Sequence, residues 1–340
     1  MQMRPADPPF NLLLRIVASW RRPHLDYDRR HVAAFVVTGG LLAFAALAGV
    51  AWAAGFDRIA DFLSRPDWIW FPIAFGGELV AYAGYTIAYR EVAGIHPLER
   101  PRFRDSLAVV AAGFGMFIAR GGMSADYETL QEQCNDESIA RQRVLGLGML
   151  EYLILAPVTC AIAILLLLSG SHIPSGFTMP WAIGVPVGFL FAAALHTRRQ
   201  WFVRGRGWRS RVATALDAVG MLRGLARTPR QAFYAAFGMT LYWVGDAFCL
   251  WACLRGFLGH HPLPVSTLII GYATGYALSR RTLPLAGAGV VEALLPFALL
   301  WVSLPLAAAM LAVLAYRFFN LWLPLVPAVV GYRHLRGAVA

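Results

Sequence analysis

Glu78, Asp246, Glu292 and Arg317 are ionisable residues set within otherwise apolar sequence. Charge and broken backbone are costly at membrane depth, and persist where they face protein or a water-filled cavity. Residues 276–327 concentrate these features. Apolar sequence is interrupted there by Arg280, Arg281, a proline and the turn Gly287-Ala288-Gly289; Glu292 follows, and then a long apolar helix with Arg317 near its middle. The start of a helix presents free backbone N–H groups and the positive end of its dipole. Two guanidinium groups beside such a terminus could grip a phosphate bidentately. Arg280, Arg281, Gly287 and Gly289 therefore form a candidate site for an anionic headgroup, with Arg317 a further contact. In the plainer reading the arginines pair with Glu292, Asp246 or backbone carbonyls and hold the fold together.

For Arg317 an ion pair with Glu292 is the expected arrangement. Glu78 and Asp246 admit several roles: proton relay, gate, cap of a broken helix, or a carboxyl kept protonated. Arg120, Asp126, Tyr127 and Glu128 line another polar stretch, which is either an opposing gate or a solvated surface. No nucleophile–base pair or metal-ligand spacing stands out, so neither catalysis nor a cofactor is expected. Cys249 and Cys253 share a helix face and read as small packing residues. Gly271 and Gly275, continued by Ser279, give a helix-packing face.

The elements that must position these residues are membrane helices. The chain of 340 residues is 58% hydrophobic and only 14% charged, too apolar for an ordinary soluble protein. Its net charge of +11 comes from arginines lying between apolar runs, the pattern of cytoplasmic loops rather than of a nucleic-acid surface. Residues 1–31 carry six arginines and 196–230 nine, and both are assigned to the cytoplasm, as is the C-terminus.

Six crossings are expected, at 32–54, 68–89, 144–168, 181–195, 232–254 and 304–330. Two further segments are too short to cross: 106–118, followed by polar sequence to 140, and 265–279, followed by a break and 290–302. Making both of them re-entrant keeps the nine-arginine loop inside. The expected architecture is an all-α polytopic membrane protein with about six spanning helices and two re-entrant helical hairpins. It divides into a cytoplasmic segment 1–31, a first membrane half 32–195 with its hairpin near 106–140, a basic loop 196–230, and a second half 231–340 with its hairpin near 265–302. Within the basic loop, Trp208, Val212, Leu216, Val219 and Leu222 recur at helical spacing. They form an apolar stripe for the inner leaflet or for other loops.

The halves resemble each other. His261 lies 165 residues after His96 in matching Gly-x-His-Pro-Leu motifs, Asp246 lies 168 after Glu78, and Gly289 lies 167 after Gly122. With the hairpins entering from opposite sides, this reads as an inverted repeat, a common plan for transporters.

With these residues in view, the chain resembles the transmembrane region of the lysylphosphatidylglycerol synthase/flippase family, the membrane half of the multiple-peptide-resistance factor and its stand-alone relatives. The resemblance rests on the Pro-x-x-Gly-x-Gly-x-x-Glu turn formed by Pro284, Gly287, Gly289 and Glu292, and on YRFFNLWLP containing Arg317. It is weaker over 120–155, and in the first half Ala119, Gly148 and Glu151 depart from the family pattern. The resemblance implies an inner-membrane protein that translocates or transports a lipid with an anionic headgroup. The alternative is a non-transporting scaffold for a lipid- or glycan-modifying enzyme. Membrane lipids are the expected partners; an enzyme supplying the lipid and self-association stay open, and nucleic acid is not expected.

Overall fold

The computed structural model describes residues 29–95, 100–116, 130, 137–203, 208–259, 261–277 and 284–331. Among them no strand occurs. In chain order the helices are α1 (Arg29–Ala54), α2 (Phe56–Ser64), α3 (Trp70–Ala93), α4 (Phe103–Met116), α5 (Glu137–Leu168), α6 (Ser175–Thr197), α7 (Arg199–Val203), α8 (Trp208–Ala226), α9 (Pro229–Leu258), α10 (Val265–Tyr272), α11 (Val290–Trp301) and α12 (Leu306–Arg317). A π-turn, Ala273–Ala277, continues α10, and another, Phe318–Trp322, continues α12.

Among the described residues five helices are long and apolar enough to cross a membrane: Val36–Ala54, Ile139–Leu168, Ser175–Thr197, Pro229–Leu258 and Leu306–Gly331. These are the features of an all-α, multi-pass membrane protein. The remaining expected crossing, α3, has 24 residues and the length to span, about 36 Å at helical rise. Glu78 and its glycines and tyrosines lower its hydropathy, and it buries that mixed face against protein. α6 is longer than the 15 residues expected. It continues through Pro180 and Pro186, which membrane helices tolerate.

α3 and α9 form the central pair. They run antiparallel: the Asp67 N–H donates to the Gly256 carbonyl (2.8 Å) at one end, and the Gln231 side chain donates to the Glu91 carbonyl (2.7 Å) at the other. Glycines make the close approach possible. A Cβ on Gly84 would lie 2.5 Å from the Gly238 oxygen, and one on Gly245 would lie 2.5 Å from the Gly77 oxygen. Contacts are reciprocal, Gly77 with Gly245 and Gly84 with Gly238. Small residues of this kind let helices meet by backbone contact where no hydrophobic force drives association.

Ends of the elements collect at two levels. Near one level lie α2, the start of α3, the end of α9, and the Phe177–Trp301 ring contact joining the start of α6 to the end of α11. At the other lie the end of α3, the starts of α4 and α9, and Gly331, packed against Ala108. Arg143 of α5 belongs to this second end, where its guanidinium donates to the Ala93 carbonyl and, at 2.5 Å, to the Ile95 carbonyl beyond α3. Arginines cluster at this end, among them Arg90, Arg100, Arg102, Arg104, Arg198 and Arg199.

α10 with its π-turn, and α11, are two short antiparallel arms. Gly271 faces Leu299 and Gly275 faces Leu295, the packing role expected of this glycine pair. Each arm is roughly 20 Å long at helical rise, less than the ~30 Å hydrocarbon core. The turn between them reaches Leu42, near the middle of the 26-residue α1, where Gly289 lies against the Leu42 backbone. The Phe114 ring of α4 lies 4.4 Å from that of Tyr82, midway along α3.

The basic-loop helix α8 packs on α5 through a face that overlaps the expected stripe only at Leu216. Ala213, Leu216, Ala218, Met221 and Leu225 are buried, and Met221 reaches Gly146 of α5, whereas Val212, Val219 and Leu222 of the stripe are half-buried.

The α3–α9 seam generates a stability prediction. Gly84→Leu forces the two backbones apart and costs upwards of about 1–3 kcal/mol. Gly184→Ala, with nothing within 4 Å of its Cβ position, costs less than about 0.5 kcal/mol. Thermal unfolding in detergent reads the difference, and equal melting of the two variants contradicts it.

Candidate functional site

Between the central pair, the hairpin and the last helix lies a buried polar network. Glu78 comes from α3 and Asp246 from α9, helices held together by the glycines beside these carboxyls. Tyr272 is the last residue of α10, Tyr276 sits in the first π-turn, Tyr316 on α12, and Asn320 in the second π-turn. All six are at most 5% exposed. A π-turn widens the helix locally and redirects the side chains on it, and such segments gather at functional sites. Here the two π-turns face each other through Tyr276, whose hydroxyl donates to the Asn320 Oδ1 at 2.7 Å.

That bond orients the amide. With Oδ1 occupied, Asn320 directs its Nδ2 to the carboxyls, 2.5 Å from Asp246 Oδ1 and 3.5 Å from Glu78 Oε1. Asp246 Oδ2 accepts from the hydroxyls of Tyr272 and, at 2.9 Å, Tyr316. Asp246 thus holds three donors from three different elements. Buried polar groups cost free energy unless hydrogen-bonded, so this hub fixes where the hairpin arm and the last helix sit relative to α9.

One turn away is the second buried group. Arg317 Nε donates to Glu292 Oε1 at 2.6 Å, and both side chains are 1% exposed. The other Glu292 oxygen, Oε2, accepts the backbone N–H of Gly289 at 2.7 Å. Gly289 caps α11 with φ +85°, and Gly287 has φ +67°, conformations glycine adopts without strain. Leu285, with φ +57°, holds the same left-handed region at a cost of about 1–3 kcal/mol. The N-terminus of α11 is therefore answered at Gly289 by its own carboxylate. A headgroup bound there must use the neighbouring donors.

The structure thus brings Glu78, Asp246, Glu292, Arg317, Gly287 and Gly289 into one region. Arg120, Glu128, Arg280 and Arg281 lie outside the described residues, as do Asp126 and Tyr127. Sequence reasoning did not single out Tyr272, Tyr276, Tyr316 and Asn320. The available signal was spacing: Tyr272 with Tyr276, and Tyr316 with Asn320, each stand four apart, polar pairs on one face of otherwise apolar helices. Cys249 and Cys253 are buried without disulfides in the same face of α9. Among the described residues no group of three or more His, Cys, Asp or Glu could hold a metal.

No protein-family model matches the chain, and no curated protein matches it either.

Removing one partner of a buried ion pair leaves the other charge exposed to a poor solvent, at about 3–5 kcal/mol. Arg317→Met should therefore destabilise strongly. The double variant Arg317→Met/Glu292→Gln should recover part of that loss, because glutamine still accepts the Gly289 N–H. Chemical denaturation in detergent measures both, and a double variant less stable than the single one contradicts the coupling.

Proposed function

We propose that this protein moves or carries a lipid with an anionic headgroup across or within the cell inner membrane. The observation that carries the reading is where α11 begins. Gly289 lies against Leu42, near the middle of α1, and the Glu292–Arg317 pair stands directly behind it. Interrupted helices meeting polar groups at mid-depth are the construction used to bind charged cargo inside membranes. A phospholipid headgroup crossing hydrocarbon needs such groups, while its tails can remain in the bilayer.

Further features favour two opposed re-entrant hairpins. α4 leaves the arginine-rich end and reaches mid-bundle at Phe114, and α5 begins back at the arginine-rich end, where Arg143 binds the end of α3. The second hairpin leaves from the opposite end. The antiparallel α3–α9 pair, with Gly77 facing Gly245, suits an inverted repeat in which Glu78 and Asp246 correspond. The arginine-rich end is assigned to the cytoplasm with both termini, following the positive-inside rule. On this reading Arg280 and Arg281, next to the turn in sequence, contact the headgroup, and the chain is a stand-alone relative of the lysylphosphatidylglycerol flippases.

The test is transfer of labelled phosphatidylglycerol between leaflets of liposomes containing the purified full chain. Wild type accelerates transfer over empty liposomes. The Arg280→Ala/Arg281→Ala double variant loses about tenfold or more, as expected for loss of charge-assisted hydrogen bonds worth about 1.5–3 kcal/mol. Equal transfer by the two proteins removes these arginines from the site, and no transfer by wild type refutes the reading.

A further inference from the structure

The Glu78–Asp246 contact raises a question of protons that the lipid reading does not answer. Both carboxyls lie within reach of the one Asn320 Nδ2, Asp246 Oδ1 at 2.5 Å and Glu78 Oε1 at 3.5 Å. Two adjacent carboxylates in a dry core repel, and the usual resolution is that one stays protonated.

The donors decide which. Asp246 already accepts from Tyr272, Tyr316 and Asn320, which is the environment of an ionised carboxylate. Glu78, with fewer donors aimed at it, is then the acid. The other ionisable groups around the pair fit this assignment. Tyr272, Tyr276 and Tyr316 act as neutral hydrogen-bonding groups, Cys249 lies beside them, and Arg317 has its charge matched by Glu292 at 2.6 Å. Size excludes a larger occupant, because Asp246, Tyr276 and Tyr316 are 0% exposed and their polar atoms bond one another directly.

The seal is made by elements other than those that carry the carboxyls. Tyr272 and Tyr276 belong to the hairpin arm, and Tyr316 and Asn320 to the last helix, whereas Glu78 and Asp246 belong to the glycine-locked central pair. Withdrawal of the arm would break the Tyr272–Asp246 bond and the Tyr276–Asn320 bond together, and so open the pair to water.

We infer that Glu78 and Asp246 constitute a proton site, one proton held on Glu78 against ionised Asp246, exchanging only when the hairpin arm withdraws. In release, the Glu78 O–H bond breaks, the proton passes to entering water, and two carboxylates remain, which disfavours closure until a proton returns. Resting on the lipid-transport reading, this makes transport respond to pH.

Infrared difference spectroscopy of the purified full chain at neutral pH tests the proton itself. Wild type minus Glu78→Gln shows loss of one protonated carboxyl band, and wild type minus Asp246→Asn shows loss of one carboxylate band. Loss of a carboxylate from Glu78→Gln, or of a protonated band from Asp246→Asn, overturns the assignment. Should either variant not fold, the other is read alone, since each difference spectrum decides. The coupling is read separately on wild type in liposomes, where an imposed pH gradient changes the lipid transfer rate at least severalfold. Transfer indifferent to the gradient overturns the coupling and leaves the lipid reading standing. Absence of any transfer refutes the lipid reading, and with it the coupling, while the spectra still decide the proton.

Discussion

A guanidinium in the middle of an apolar bundle demands a carboxylate, and Glu292 meets that demand while answering a second one. Its Oε1 takes Arg317, and its Oε2 takes the Gly289 N–H at the start of α11. A helix that begins inside an apolar bundle leaves backbone donors without water, so the same side chain that neutralises Arg317 also satisfies the start of α11. The short arm, the glycine turn and the last helix are tied at one point. Without this tie, a buried charge and an open helix end would both stand unmatched in the bundle.

The rest of the bundle follows from where such groups can be placed. Glycines bring α3 and α9 to backbone contact, which puts Glu78 and Asp246 side by side. Tyrosines and an asparagine from the hairpin arm and the last helix then close over them, using two π-turns that face each other. Two polar clusters result, one tying the hairpin to the last helix and the other tying both to the central pair. Outside them, the surface of α1 and α6 is apolar and exposed, with Leu41, Phe44, Leu190 and Phe191 turned outward, as lipid-facing helices require.

Much of this was legible in the sequence wherever a residue breaks a local rule. Arg317 in an apolar helix called for an acidic partner, and Glu292, after a Gly-Ala-Gly turn, was the natural one. The spans could be read because length and hydropathy need no tertiary knowledge, although α6 runs through two prolines and was drawn too short. The tyrosines and Asn320 looked like ordinary membrane-helix residues, since only the π-turns and the α3–α9 crossing make them converge. Arg143, at the start of α5, gave no such signal, yet it binds the carbonyls of Ala93, the last residue of α3, and of Ile95 just beyond it. The apolar stripe of α8 was visible, but periodicity cannot say whether lipid or protein covers it, and Met221 against Gly146 is a tertiary fact.

The hairpin's depth is the point on which the functional reading turns, and a spin label can measure it. Val290, the first residue of α11, is 40% exposed beside the turn. In lipid vesicles, a Val290→Cys label should collide often with oxygen dissolved in the hydrocarbon and rarely with a water-soluble nickel chelate. Frequent collision with nickel and little with oxygen would put the turn in water and contradict the proposed mid-membrane position.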